Sequence, residues 1–248
     1  MKKASGGTRR HGLDTIRGMA LISMILYHAS WDMVYLFGAD WDWYRSDGAY
    51  VWQQITCWTF ILLSGYCFHL GRRRLRRGIM AFGGGLLVTA VTLVAMPDTP
   101  VLWGVLTLLG SATLLTVPLD RLFVKIPARA GLALSFCLFL LLGEVNSGWL
   151  GFEGARILAL PEGLYANLFT AYLGFPAAGF SSSDYFPLLP WLFLFWTGYF
   201  LYRLRPEEPH RELPRIPVVT FMGRHSLLIY LLHQPLIYGV LTVCHWLF

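Results

Sequence analysis

Long apolar blocks alternate with short polar breaks along the chain, and most blocks have the length of a membrane-crossing helix. Taken in order they predict spans over about 13–37, 49–70, 78–96, 101–117, 130–142, 186–204 and 226–248. Pro97 and Pro100 close the third block and Pro118 the fourth, because proline cannot continue a helix without losing a hydrogen bond. A short helix is expected just before the last span. The longest polar stretch, 143–185, holds Glu144, Asn146, Glu153, Arg156, Glu162, Asn167 and Asp184. Its apolar pieces at 157–160 and 164–175 are too short to cross, so they read as interfacial or re-entrant. The pattern predicts an all-α fold, a polytopic membrane helical bundle of about seven transmembrane helices forming a single domain over 1–248.

The polar breaks give the bundle a direction. The segments before span one and after spans two, four and six carry 17 of the 20 Lys and Arg residues. By the positive-inside rule this places the N-terminus and the tail 1–11 in the cytoplasm, the C-terminus outside, and 143–185 on the extracytoplasmic face. The acidic, aromatic break at 38–48 then lies outside as well. The densest basic run is 72–77, five arginines in six residues. It reads as a topology determinant beside anionic headgroups, with Arg72 a further candidate for a polyphosphate ligand.

Composition agrees. Of 248 residues, 56% are hydrophobic and only 14% charged, where a soluble domain has about 25% charged. The net charge of +6 does not point to nucleic acid, because the cations sit in short inter-span breaks where topology explains them. Cys57, Cys67, Cys137 and Cys244 lie inside apolar blocks without metal-ligand spacing, and read as small buried residues. No cleavage site precedes the first span, which reads as a mature helix. No Gly-rich nucleotide loop or metal motif occurs.

Candidate chemistry concentrates in span one. Ionisable groups cost roughly 2.5–3.5 kcal/mol each at the centre of a membrane helix, so they tend to mark function. Span one carries Asp14, Arg17, His28 and Asp32. At about 100° per residue, His28 falls about 20° from Arg17, and Asp14 and Asp32 each about 60°. One polar seam therefore runs along the helix. His28 is the leading base or nucleophile, with Asp32 four residues on to orient its ring; a structural His–Asp pair is the alternative. Arg17 either pairs with Asp14 at the inner interface or recognises an anionic group from the cytosol. The last span repeats the pattern, with Ser226 and Tyr230 about 20° and 60° from His233. Ser226, Tyr230 and Gln234 also suit interhelical hydrogen bonding. Ser64-Gly65 in span two suits close helix contact, and Asp184 suits either a helix cap or a polar acceptor at the outer mouth.

Two motifs are familiar. Leu13-Asp14-Thr15-Ile16-Arg17-Gly18, and Gly223-Arg224-His225-Ser226 running on to His233-Gln234-Pro235, resemble the heparan-α-glucosaminide N-acetyltransferase catalytic-domain-like family. That family belongs to the transmembrane acyltransferase superfamily, with the acyltransferase-3 proteins. Ser64-Gly65 and the segment from Tyr185 to Trp191 also fit it, and Ala29-Ser30-Trp31 resembles the segment after the catalytic histidine of lysosomal members. The resemblance implies transfer of an acetyl group from cytosolic acetyl-CoA to a hydroxyl or amine of an extracytoplasmic acceptor, often a glycan. It implies His28 as the catalytic histidine and Arg17 as its paired arginine. Taken with the residue chemistry, Asp32 joins His28 as catalytic, Asp14, Ser64, Arg72, His233, Ser226 and Tyr230 join Arg17 toward acetyl-CoA, and Asp184, Tyr185 and Trp31 are expected toward the acceptor, with no metal. The expected setting is a prokaryotic inner membrane, and small-residue runs such as Gly83-Gly84-Gly85 permit a homo-oligomer. The competing class is a transporter with an intramembrane His/Arg/Asp path, and a third reading is an inactive relative.

Overall fold

The computed structural model describes residues 11–204 and 216–247. The expected cytoplasmic tail and most of the charged break at 203–215 lie outside the described residues. Nine helices and one hairpin are described: α1 (His11–Tyr35), α2 (Asp47–Tyr66), α3 (Arg74–Ala95), α4 (Val105–Phe123), α5 (Ala128–Leu141), β1 (Trp149–Phe152), β2 (Ala155–Ala159), α6 (Leu168–Leu173), α7 (Leu188–Leu204), α8 (Pro217–Arg224) and α9 (Ser226–Leu247). Among the described residues, three helices are long and apolar enough to cross a membrane: α3, α4 and α9. The 25 residues of α1 would also reach across, but its polar seam lowers its hydropathy. Along α9, Leu228, Leu232, Leu236, Val240, Val243 and Trp246 are exposed, an apolar surface suited to lipid and costly in water.

The chain divides into two compact units, one of residues 1–60 with 207–248 and the other of 61–206. In the first, α2 runs antiparallel to α1. Ser23 Oγ shares a hydrogen bond of 2.8 Å with Thr56 Oγ1 and accepts one of 2.7 Å from Trp52 Nε1. Helix α8 packs antiparallel on the first turns of α1. A Cβ at Gly18 would collide with the Val219 carbonyl, and one at Gly223 with the Asp14 carbonyl, so both glycines allow backbone-to-backbone contact. The chain reverses at His225, and α9 then runs parallel to α1.

In the second unit α3 and α4 form an antiparallel pair. Gly85 lies on the Thr107 backbone, and Gly110 on that of Phe82. Helices α5 and α7 are also antiparallel, joined by Thr197 Oγ1 donating to Ser135 Oγ at 3.1 Å. The contact expected of Ser64-Gly65 falls on Gly65, which lies against the Phe195 carbonyl of α7, while Gly198 lies against Leu62. One end of the unit is held by charge. Asp120 accepts from Arg74 Nη1 at 2.7 Å and from the Tyr199 hydroxyl at 2.6 Å. Arg203 donates to the Phe123, Val124 and Ile126 carbonyls, closing the C-terminus of α4. Tyr199→Phe is expected to lower stability by about 1–2 kcal/mol, read as a drop in the thermal unfolding midpoint in detergent.

Three sequence expectations change. Helix α4 runs through Pro118 instead of ending there; the Pro ring removes one hydrogen bond, and packing on α3 and α7 holds the helix. Helix α3 begins at Arg74, so part of the basic run is helical, as expected of arginine's good helix propensity. The stretch 143–185 is not wholly helical. Its apolar piece at 157–160 falls largely within β2 of an antiparallel hairpin, turning at Glu153 (φ 48°) and Gly154 (φ 82°). Positive φ at both turn residues suits the twist of a two-residue hairpin loop. Hydrogen bonds from Ser147 and from the Gly154 backbone hold the Glu144 carboxyl below its ordinary pKa beside this turn.

Candidate functional site

The seam of span one is a real face of α1, and α8 and α9 cover it. At its N-terminal end Asp14 is buried. It pairs with Arg17 Nη1 at 3.3 Å and with Arg224 Nε at 3.5 Å. Two guanidinium groups on one carboxylate leave a net positive charge there. Arg17 Nη1 also donates to the Gly223 carbonyl at 3.3 Å, and Thr15 and Thr220 share a hydroxyl hydrogen bond of 3.1 Å. A carboxylate in the first turn of α1 is favoured by the helix dipole.

At the other end His28 meets His233, ring edge to ring face, with centroids 4.9 Å apart. Nδ1 of His233 lies on the Tyr230 carbonyl. A carbonyl only accepts, so Nδ1 carries the proton, and Nε2 of a neutral ring carries the lone pair. Asp32 is wholly buried at 0% exposure. Its Oδ1 accepts from Gln234 Nε2 at 2.6 Å, while Oδ2 has no hydrogen-bond partner among the described residues. The hydrogen bond expected from the His28 ring to Asp32 is not made among the described residues. Asp32 reaches the neighbouring helix instead, because the α1–α9 contact sets Gln234 directly before it. Four of the residues singled out in the sequence, His28, Asp32, Tyr230 and His233, thus meet at one place, and Arg17 and Asp14 at another, about 16 Å along α1.

A family model described as heparan-alpha-glucosaminide N-acetyltransferase, catalytic, matches residues 9–235. The chain belongs to this acetyltransferase family. The match runs from the start of α1 to Pro235 and so includes both ends of the seam. No curated protein and no solved structure matches the chain.

The remaining candidates stand elsewhere. Ser226 opens α9. Trp31 is partly buried against the cluster of Val34, Tyr44 and Ala49. In the second unit Ser64 lies in α2, and Arg72 is exposed in the link before α3. Asp184 Oδ2 accepts from the Val105 backbone at 3.3 Å, capping α4 and not α7, whose start it was expected to serve. The Tyr185 hydroxyl donates to the Ala171 carbonyl at 2.6 Å, and burial pushes its pKa up, so it remains a donor. The sequence places Arg224 among the topology cations and in an end motif, and it assigns no site role to Arg224, Thr15, Thr220, Asp120 or Tyr199. The available signal is that Arg224 and Thr15 lie inside the two end motifs.

Proposed function

We propose that the protein is a transmembrane acetyltransferase that takes the acetyl group of cytosolic acetyl-CoA and transfers it to a hydroxyl or amine of an extracytoplasmic acceptor, a glycan being the favoured class. The observation that carries this reading is one helix face with a cationic end, Arg17 and Arg224 around Asp14, and a two-histidine end beside a buried carboxyl. Guanidinium groups suit the phosphates of CoA. The imidazole of His28 suits the acyl-transfer step, as base or acyl carrier, with the Asp32 carboxyl one turn away to offset positive charge on the ring.

In this reading the chain is one domain of seven spans, α1 to α5, α7 and α9, with its N-terminus cytoplasmic and C-terminus outside. Helix directions support it: α9 is parallel and α2 antiparallel to α1, and α4 is parallel and α5 antiparallel to α7. Arg17 then lies near the cytoplasmic mouth and His28 toward the outer one. Ser226 and Tyr230 extend the donor side in the first unit, and Arg72 and Ser64 of the second unit are further candidates toward acetyl-CoA. Trp31 of the first unit, and Asp184 and Tyr185 of the second, are the candidates toward the acceptor.

The test is acetyl transfer from radiolabelled acetyl-CoA to glucosamine by purified protein. Acetyl-CoA-dependent acetylation supports the reading. Failure to bind acetyl-CoA or release CoA, with solute movement in proteoliposomes, would replace it by transport. Arg17→Ala is expected to raise the acetyl-CoA Kd at least about tenfold, measured by titration on protein whose helical signal matches wild type.

A further inference from the structure

The mechanism above uses one imidazole, but the site holds two. Transfer through an acyl-imidazole needs a nucleophilic nitrogen, and it needs a base for the proton that the acceptor loses. The two rings differ in the way these roles require. No hydrogen bond to a described residue engages His28, so its ring is not tied to either tautomer. His233 is buried and fixed by the Tyr230 carbonyl, which leaves Nε2 as the basic nitrogen. One residue further along α9, Gln234 ties the helix to Asp32 at 2.6 Å, which sets the register of His233 against His28.

From this geometry we infer that the histidines divide the reaction: His28 carries the acetyl group, and His233 is a second catalytic residue that moves the acceptor's proton. The inference rests on the acetyltransferase reading. In the first step a ring nitrogen of His28 attacks the thioester carbonyl carbon. The N–C bond forms, the C–S bond breaks, and CoA leaves as the thiolate. The other ring nitrogen releases its proton, which the thiolate takes up. In the second step the acceptor oxygen or nitrogen attacks the acetyl carbon while His233 Nε2 accepts its proton. The new bond forms and the C–N bond to His28 breaks. The departing His28 nitrogen recovers the proton from His233, and both rings return to neutral. This last transfer needs the two imidazoles to be neighbours, and their centroids are 4.9 Å apart.

The experiment separates the steps in the full-length protein. Exchange of radiolabelled CoA into acetyl-CoA without acceptor reports the first step. Discharge of the acetyl group to glucosamine or to water reports the second. Wild type is expected to do both, and His28→Ala neither. In His233→Asn the amide nitrogen takes the place of Nδ1 toward the Tyr230 carbonyl, and the base is gone. That variant is expected to keep exchange within about threefold, to lose discharge by about 100-fold, and to accumulate acetyl-His28, seen by peptide mass mapping. His233→Gln serves if the Asn variant does not fold. Equal loss of exchange and discharge in the His233 variants overturns the division, as does undiminished discharge. Transfer without any exchange in wild type overturns the carrier role alone. Neither exchange nor transfer in wild type overturns the acetyltransferase reading and this inference with it.

Discussion

His28→Ala is expected to abolish acetyl transfer, with a loss of about 10³-fold or more in turnover, while acetyl-CoA still binds with near wild-type affinity. The size follows from removing the group that forms or assists the bond to the acetyl carbon, an effect of about 10²–10⁴ for acid–base work alone. Binding is expected to survive because the proposed donor site, the cationic end of the seam, is about 16 Å away along α1 and retains Arg17 and Arg224. The substitution leaves the fold standing, since His28 is only half-buried and makes ring contacts, with Tyr27 and His233, instead of hydrogen bonds. Turnover of radiolabelled acetyl-CoA and a parallel binding titration check both halves. Weakened binding together with slow turnover would mean that the histidine also holds the donor.

The second large effect concerns stability. Gly223→Val is expected to destabilise the protein by about 3 kcal/mol, the upper part of the usual range for overpacking. A Cβ at this position would meet the Asp14 carbonyl of α1, which is backbone and cannot swing aside. The helices would have to part, and Arg17 would lose its hydrogen bond to the Gly223 carbonyl. Acetyl-CoA affinity should therefore fall along with the unfolding midpoint. Gly239→Val is the control: nothing stands within 4 Å of its Cβ position. It lies on α9 and should leave the midpoint unchanged within experimental scatter. Equal behaviour of the two variants would remove the close α1–α8 contact from the account.

Helix existence was legible because each apolar block must satisfy its own backbone hydrogen bonds, which leaves helix as the default in lipid. Boundaries were less legible. Pro118 looked like an end, and only packing against neighbours keeps α4 intact beyond it. The hairpin is not legible in the sequence, because its apolar strand pieces are shorter than any span and carry no clear alternation. The Glu153-Gly154 pair was the available turn signal.

The sequence by itself determined the polar seam of α1, the apolar character of the helices and the pairing of two end motifs with one family. Those are properties of spacing along one chain direction, and 3.6 residues per turn converts spacing into a face. Tertiary structure alone decided which groups meet across helices. Asp32 bonds Gln234 and not His28, Arg224 joins Arg17 on Asp14, and His233 stands beside His28 with its tautomer fixed. Such pairings join residues about 200 positions apart. Helix direction and register, set by glycine contacts such as Gly18 on Val219, bring them together, and no periodicity within a single span encodes that.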